Sequence, residues 1–477
     1  MEEWILFDTR VAQLNPASSA TTASCTTSND RAVRASLRLA PAPRSSIVKL
    51  YTDDEVLRGP TVVATDGDLI LIHMVVPFKG RRTMKSRHNF FVLNASPERP
   101  PWMQSLPPPH DWVAQGEDTG IIQRGDKDFV VASLKPRVVV DRSTGIEVEA
   151  EAAFVWIFRS SGPDSKWEIK RLDMPHDTEK GLVEFHWQTD AVFSFNGFIC
   201  WADYHRGILL CNVCDSDPEL RFLRFPGIEI WRCGDRALPT RFRTVSICRE
   251  GHMKFVDVDN GRFRSVNIKE DVSIGSDSDD EFTESNVNGC VINIWTLKMP
   301  QYEWEMDSVL QLEEILSHRS YQDSPLPLAV PTFPVFNMLE PSILHFIVKG
   351  PGFYDEAWMV TIDMKKKSLG PYQLYENPIK ERGYSFDLSH VYPNSAMISK
   401  IINWRTWNTS SLVVPASPRS GQLPVPLHNL GAWPSLPQPS RSTACQPGTP
   451  PSSWCSGSSG RTTTAWCSTP TTKIAEK

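Results

Sequence analysis

Long hydrophobic runs are missing from this chain. Its longest apolar stretch, Leu69 to Phe78, is already broken by His73 and Pro77, whereas a membrane-spanning helix needs about 20 apolar residues. The start, Met1-Glu2-Glu3, has neither the basic n-region nor the apolar h-region of a secretory signal, so the expectation is a chain that stays inside the cell, cytoplasmic or nuclear, and binds no membrane. Charge of one sign is scarce as well. With 50 Lys and Arg against 56 Asp and Glu, no global field draws a polyanion, which argues against bulk nucleic-acid binding. Acids are locally depleted between Thr9 and Lys49, where Asp30 stands alone among Ser, Thr, Ala and Arg. That composition also fits organelle targeting, although the strand-like Trp4-Ile5-Leu6-Phe7 points to folded structure.

The signatures of local chemistry are absent too. There is no GxGxxG, P-loop, HExxH or GxSxG, which removes the local marks of nucleotide cradling, zincin hydrolysis and the nucleophile elbow. Carboxylates contributed by distant segments, as in glycosidases, cannot be paired from sequence. No catalytic residue, cofactor or metal ligand is therefore assigned, and the chain is expected not to be an enzyme. Ten Cys in an intracellular chain are expected to be reduced, packed thiols. Cys211-Asn212-Val213-Cys214, with His205, Cys200 and Cys233 nearby, prompts a zinc test. Ile208 to Val213 forms an apolar run that reads as a buried strand, in which residues three apart face opposite sides. The two thiols converge only if the strand ends between them.

What is present is a series of short apolar runs separated by turn residues. From residue 49 to 407 their regular spacing points to an all-β fold. Only Ser308 to His318 offers helical spacing, through Val309, Leu312 and Leu316. Repeats narrow the choice. Val155-Trp156-Ile157-Phe158, a polar turn, and Lys166-Trp167-Glu168-Ile169-Lys170-Arg171-Leu172 are echoed by Ile294-Trp295-Thr296-Leu297, a turn, and Glu303-Trp304-Glu305-Met306-Asp307-Ser308-Val309. A Gly turn with a following aromatic strand recurs at Asn196-Gly197-Phe198 and Glu250-Gly251-His252, and Leu344 to Val348 is a further echo of that strand. Recurring hairpins of this kind are what stacked blades require, because each blade buries its faces against its neighbours. The expected fold is an all-β, propeller-like array of short antiparallel blades, roughly six to eight at about 40 to 50 residues each.

Three segments result: 1–48, an N-terminal strand with a Ser/Thr/Ala-rich stretch; 49–407, the propeller-like domain; and 408–477, a tail. The last 69 residues hold 11 Pro, 13 Ser and 9 Thr with Glu476 as the only acid, a composition too poor in periodic apolar residues to order itself, so a disordered Pro/Ser/Thr-rich tail is expected.

The segment Gly197-Phe198-Ile199-Cys200-Trp201-Ala202-Asp203-Tyr204-His205-Arg206-Gly207-Ile208-Leu209-Leu210-Cys211-Asn212-Val213, closed by Leu220-Arg221-Phe222-Leu223-Arg224-Phe225-Pro226, resembles the signature of a plant family, domain-of-unknown-function sixteen-eighteen, expanded in grasses. Trp4 to Asp8, Ala64 to Leu69 and Val291 to Leu297 agree with it. The resemblance covers roughly residues 4 to 407. It implies no catalytic residues, and repeats like those of the propeller domains that follow F-boxes. No Leu-rich helical F-box stretch is visible ahead of the repeats.

Within the signature, Gly197 and Gly207 are expected to supply positive φ, Trp201 a packing face, and Asp203 a turn cap. The alternative is that Asp203, His205 and Arg206 face a binding surface. The acidic run Asp277-Ser278-Asp279-Asp280-Glu281 reads as a solvated loop, with phosphorylation or a basic partner as the alternative. The basic run Lys79 to His88 reads as a hairpin tip, with phosphate contact or a nuclear signal as the alternative. Together these readings give a protein-interaction module with an unidentified protein partner. The alternatives are a ubiquitin-ligase substrate receptor acting through an adaptor in trans, and a propeller hydrolase.

Overall fold

The computed structural model describes residues 5–7, 11–13, 23–38, 40, 45–54, 56, 58–77, 86–96, 100–109, 116–136, 139–140, 147–148, 152–161, 166–175, 187–228, 239–248, 250–260, 287–351, 355–375 and 397–399. The chain divides into two units, residues 1–413 and 414–477. The second unit, and the whole of the Pro/Ser/Thr-rich tail, lies outside the described residues.

Period-two alternation with both faces apolar is the local rule that builds this molecule. In Leu69–Pro77, the residues Ile70, Ile72, Met74 and Val76 enter one apolar cluster while Leu69 and Leu71 enter another. A strand that is apolar on both sides must lie between two covering layers. Among the described residues, that demand is met with five four-stranded antiparallel sheets and one six-stranded sheet, beside a two-stranded hairpin.

Blade 1 is the six-stranded sheet. Ala23–Thr26, Ala32–Arg38 and Ser45–Thr52 form its antiparallel part, Ile5–Phe7 and Ala12–Gln13 both pair parallel with Ser45–Thr52, and Met397–Ser399 pairs antiparallel with Ile5–Phe7. Strands from both ends of the repeat region thus share one sheet, and that sheet straddles the sequence boundary drawn at residue 48. Blade 2 is Arg58–Asp66, Leu69–Pro77, Ser86–Asn94 and Met103–Ser105. Blade 3 is Thr119–Gln123, Phe129–Pro136, Ala152–Arg159 and Trp167–Asp173, with a small hairpin, Val139–Val140 with Glu147–Val148, between its middle strands. Blade 4 is Ala191–Phe195, Phe198–Asp203, Gly207–Cys211 and Leu220–Arg224. Blade 5 is Arg243–Ile247, Met253–Asp259, Val291–Lys298 and Glu303–Gln311, and blade 6 is Thr332–Phe336, Ile343–Lys349, Ala357–Asp363 and Ser368–Leu374.

Each neighbouring pair of blades shares one apolar cluster. Blades 1 and 2 close over Val33, Val48, Ile72 and Phe91, and blades 2 and 3 over Leu71, Phe90, Val131 and Phe158. Blades 3 and 4 close over Val130, Val155, Trp201 and Leu209, blades 4 and 5 over Ile208, Leu210, Phe255 and Trp295, and blades 5 and 6 over Val256, Ile294, Phe346 and Val360. The first strands of blades 2, 3 and 4 touch one another, as do those of blades 5 and 6, so in blades 2 to 6 the first strand is innermost. This is the propeller-like, all-β array.

The Trp-led repeat has a mechanical meaning. Trp167 and Trp304 each stand near the start of an outer strand and donate the indole N–H backwards, to Pro107 O at 2.6 Å and to Arg224 O at 3.0 Å. Each carbonyl follows or ends the outer strand of the preceding blade. The expected helix at Ser308 to His318 is shorter than its spacing suggests. Ser308 to Gln311 still pair with Val291 to Ile294, and the helix is Leu312–Leu316. Leu310 is needed in the strand to fill the cluster between blades 5 and 6, so burial overrides local propensity.

On the other face of blade 6, His345 is buried and its Nδ1 lies 3.0 Å from Thr361 Oγ1. Burial disfavours the imidazolium and lowers its pKa from 6.5 to about 4. The native state therefore binds fewer protons than the unfolded chain between those values. Stability contributed by the neutral ring is present above about pH 6.5 and is lost as pH falls toward 4, by a maximum on the order of 3 kcal/mol. His345→Gln is expected to flatten the fall of the urea midpoint across that window. An unchanged slope in the variant would assign the acid sensitivity to other groups.

Candidate functional site

Meander topology gives the array two different ends. At one end the first and second strands are joined by tight turns. Asn196 and Gly197 have φ of 48° and 85°, the pair of positive values that a two-residue hairpin turn requires, and Gly251 at 78° serves the echoing hairpin. Asp66 binds three blades together here. Its carboxylate accepts from Gln123 N of blade 3 at 2.7 Å and from Ser194 Oγ of blade 4 at 2.6 Å. Gln123 Oε1 in turn accepts from Asp68 N at 2.9 Å.

At the other end the second strand passes to the third and each blade passes to the next. The connections spanning 78–85, 137–151, 260–290, 174–190, 225–242 and 312–331 all leave from this end. The acidic run Asp277 to Glu281, and Lys79 to Lys85 of the basic run, lie outside the described residues. Arg87 and His88 belong to the third strand of blade 2, where Arg87 Nη1 donates to Ser28 O at 2.9 Å and His88 Nδ1 lies 2.9 Å from His73 Nε2.

The sequence signature lies at this loop end, between blades 4 and 5. Asp203, Tyr204, His205 and Arg206 are all buried. Asp203 Oδ1 accepts from His205 N at 2.9 Å, Asp203 Oδ2 accepts from Gln188 N at 3.2 Å, and Arg206 N donates to Asp203 O at 2.8 Å. Arg206 Nε stands 3.7 Å from the same carboxylate. The expected turn cap is present, and these groups bind one another below the surface rather than lining it.

Gly207 departs from expectation. It has no positive φ among the glycines that do. A Cβ there would meet Leu223 O at 2.3 Å and Arg224 Cα at 2.9 Å, so its glycine is required by the close approach of the neighbouring strand. Trp201 is fully buried in the cluster between blades 3 and 4 and donates to Asp118 O at 2.8 Å.

Blade 5 completes the seam with residues the sequence did not mark. Arg243 Nε donates to Asp257 Oδ1 at 2.7 Å, and its Nη1 donates to Tyr204 O at 2.8 Å and lies 3.4 Å from His205 Nδ1. Tyr204 N donates to Asp190 Oδ2 at 2.7 Å, and Tyr204 Oη accepts from Val245 N at 3.2 Å. Burial raises the Asp257 carboxyl against the opposing pull of Arg243, and burial pushes the Tyr204 hydroxyl up to about 12. The acid Asp257 inside Met253-Lys254-Phe255-Val256-Asp257-Val258, a largely apolar strand, was the available signal.

The strand Gly207–Cys211 does end between the two cysteines of the CxxC pair. Cys211 is buried in the cluster between blades 3 and 4, against which Cys214 also packs. Burial pushes the Cys211 thiol up to about 12 and raises Cys214, the condition of packed thiols. Among the described residues, no group of three His, Cys, Asp or Glu is placed to hold a metal ion, and no helix is long and apolar enough to cross a membrane.

Residues 201–345 match the family described as Protein of unknown function (DUF1618), a span running from blade 4 into blade 6. No curated protein matches the chain. Similar solved structures include a chain of the mitotic checkpoint complex, 10% identical, covering 66% of this chain with a TM-score of 0.29. This chain spans 64% of that protein's length. Sqt1 from Chaetomium thermophilum is 9% identical over 67% of this chain and 75% of its own, with a TM-score of 0.29. A putative 6-phosphogluconolactonase from Bacteroides fragilis is 13% identical over 68% of this chain and 82% of its own, with a TM-score of 0.25.

Asp257→Asn would leave the Arg243 guanidinium buried without its counter-charge, with an expected loss of about 3–5 kcal/mol in urea unfolding. Arg243→Met together with Asp257→Leu should recover most of that. A loss below about 1 kcal/mol in the single variant would show that the pair behaves like an exposed one.

Proposed function

We propose that this chain is a non-enzymatic protein-interaction module acting in the cytoplasm or nucleus, and a member of the grass-expanded plant family that its signature resembles. The observation that carries the reading is the asymmetry of the array. Tight turns, braced by Asp66, close one end. Long connections leave the other, where the Asp203–Arg206 and Arg243–Asp257 ion pairs hold the blade ends in fixed positions. Rigid scaffolds with variable connections on one side are where binding functions are placed, and a function must be argued from such a site rather than from the fold. The buried ionic groups support this reading because they are consumed in holding the loop bases, with partners at hydrogen-bond distance.

The experiment is affinity purification of the full chain, and of variants in which residues 78–85 or 261–286 are replaced by short Gly/Ser links, followed by mass spectrometry. The expected result is a reproducible partner retained by the natural chain and lost with one loop replacement, while replacing the Arg124–Asp128 turn at the opposite end leaves it bound. A partner set indistinguishable from bare matrix would overturn the reading.

A further inference from the structure

The face of blade 3 that meets blade 2 changes character along its length. Val131 and Phe158 oppose each other in register and enter the apolar cluster shared with blade 2. Alternation puts the next residues of the same face two positions further toward the loop end. There Ser133 opposes Trp156, and Trp156 opposes Ile169 of the outer strand. In the row beyond, Lys135 opposes Phe154, and Phe154 opposes Arg171. The apolar cluster stops short of both rows. Trp156 joins neither the cluster with blade 2 nor the one with blade 4, and Ile169 is 49% exposed.

Two buried polar groups lie in the first of these rows. Trp156 is 4% exposed and Ser133 1%, yet neither Trp156 Nε1 nor Ser133 Oγ has a hydrogen-bond partner. Buried groups of this kind are normally paired, and the indoles of Trp167, Trp201 and Trp304 all are. An indole N–H can only donate, so what would satisfy it is an acceptor. On its outer side Trp156 is flanked by side chains, Ile169 across the strand pair and Phe154, whose ring lies 6.0 Å away. An incoming oxygen can reach the indole by a change of rotamer, with the backbone in place.

Charge narrows the occupant. The row Lys135, Phe154, Arg171 sets a cation on each side of a half-buried aromatic ring, and neither cation forms an ion pair among the described residues. On the opposite face of the same outer strand the charges are matched, since Glu168 is shared by Arg159 and Lys170. Unpaired cations, exposed apolar surface and an unused donor are together complementary to a carboxylate carried next to an apolar group. We propose that this face of blade 3 docks a segment of a partner protein in which Asp or Glu adjoins a large apolar residue. Lys135 and Arg171 receive the carboxylate, Ile169 and Phe154 receive the apolar side chain, and Trp156 Nε1 donates to an oxygen of the segment. The proposal rests on the interaction-module reading and names the chemistry of the partner within it.

The probe is a phage-displayed library of random 16-residue peptides, selected on the immobilised full chain. Enriched peptides are expected to carry Asp or Glu beside a large apolar residue, and to bind the Lys135→Glu/Arg171→Glu variant at least about tenfold more weakly. Trp156→Phe keeps an aromatic ring and removes the donor, and should weaken the same peptides about fivefold. Arg221→Glu/Lys365→Glu, which makes the same charge change elsewhere on the surface, should leave their affinity unaltered. If the first double variant unfolds, Lys135→Gln/Arg171→Gln replaces it, with the same expected direction. No enrichment, peptides that bind the Lys135 and Arg171 variants as tightly as the natural chain, or equal weakening by the control variant would overturn the site. So would a fluorescent random-sequence single-stranded oligonucleotide that outcompetes the peptides, because the face would then serve a polyanion. Loss of a cellular partner on loop replacement would still stand in each of these cases, so the two readings fail separately.

Discussion

Strands that are apolar on both faces cannot be buried by folding back once. Leu69–Pro77, Phe129–Pro136, Phe198–Asp203 and Met253–Asp259 all have this property, with buried residues at nearly every position. Each must lie between two layers, and each layer is another blade under the same constraint. The consequence is serial stacking, in which a blade is stable only as part of the array. Blade 1 answers the end problem by taking strands from residues 5–7 and 397–399 into one sheet.

Once the apolar seams are fixed, polar groups specify how the blades meet. At the turn end, Asp66 accepts from both blade 3 and blade 4. At the loop end, Arg243 reaches Asp257 on its own blade and Tyr204 O on the preceding one. Indole N–H groups of Trp167, Trp201 and Trp304 supply further ties between backbones. These contacts are directional where the apolar seams are not, and they hold one end closed while the other carries the connections. The functional reading follows from that polarity.

Local pattern made the blades legible. The alternation in the middle strands, the paired Trp of the hairpins and the Asn196-Gly197 turn are all short-range signals, and the structure places each as a strand or tight turn. Asp203 was legible as a turn cap for the same reason. Gly207 was misread because its requirement comes from Leu223 O on an adjoining strand, not from its own backbone angles. Asp66 and Arg243 drew no attention because they reach partners distant in the chain, 128 residues away for Ser194 against Asp66 and 39 for Tyr204 O against Arg243. The helix near Leu312 was overextended because spacing alone does not reveal that Leu310 is held in a strand by the neighbouring blade.

The claim on which the account depends is that the blades form one cooperative stack. Native-state hydrogen exchange read by mass spectrometry, in increasing sub-denaturing urea, tests it most directly. The account predicts that the middle strands at residues 69–77, 129–136, 198–203, 253–259 and 343–349 lose protection together, with a common opening free energy and urea dependence. Blades that open one at a time, each with its own small urea dependence while the others stay protected, would contradict it.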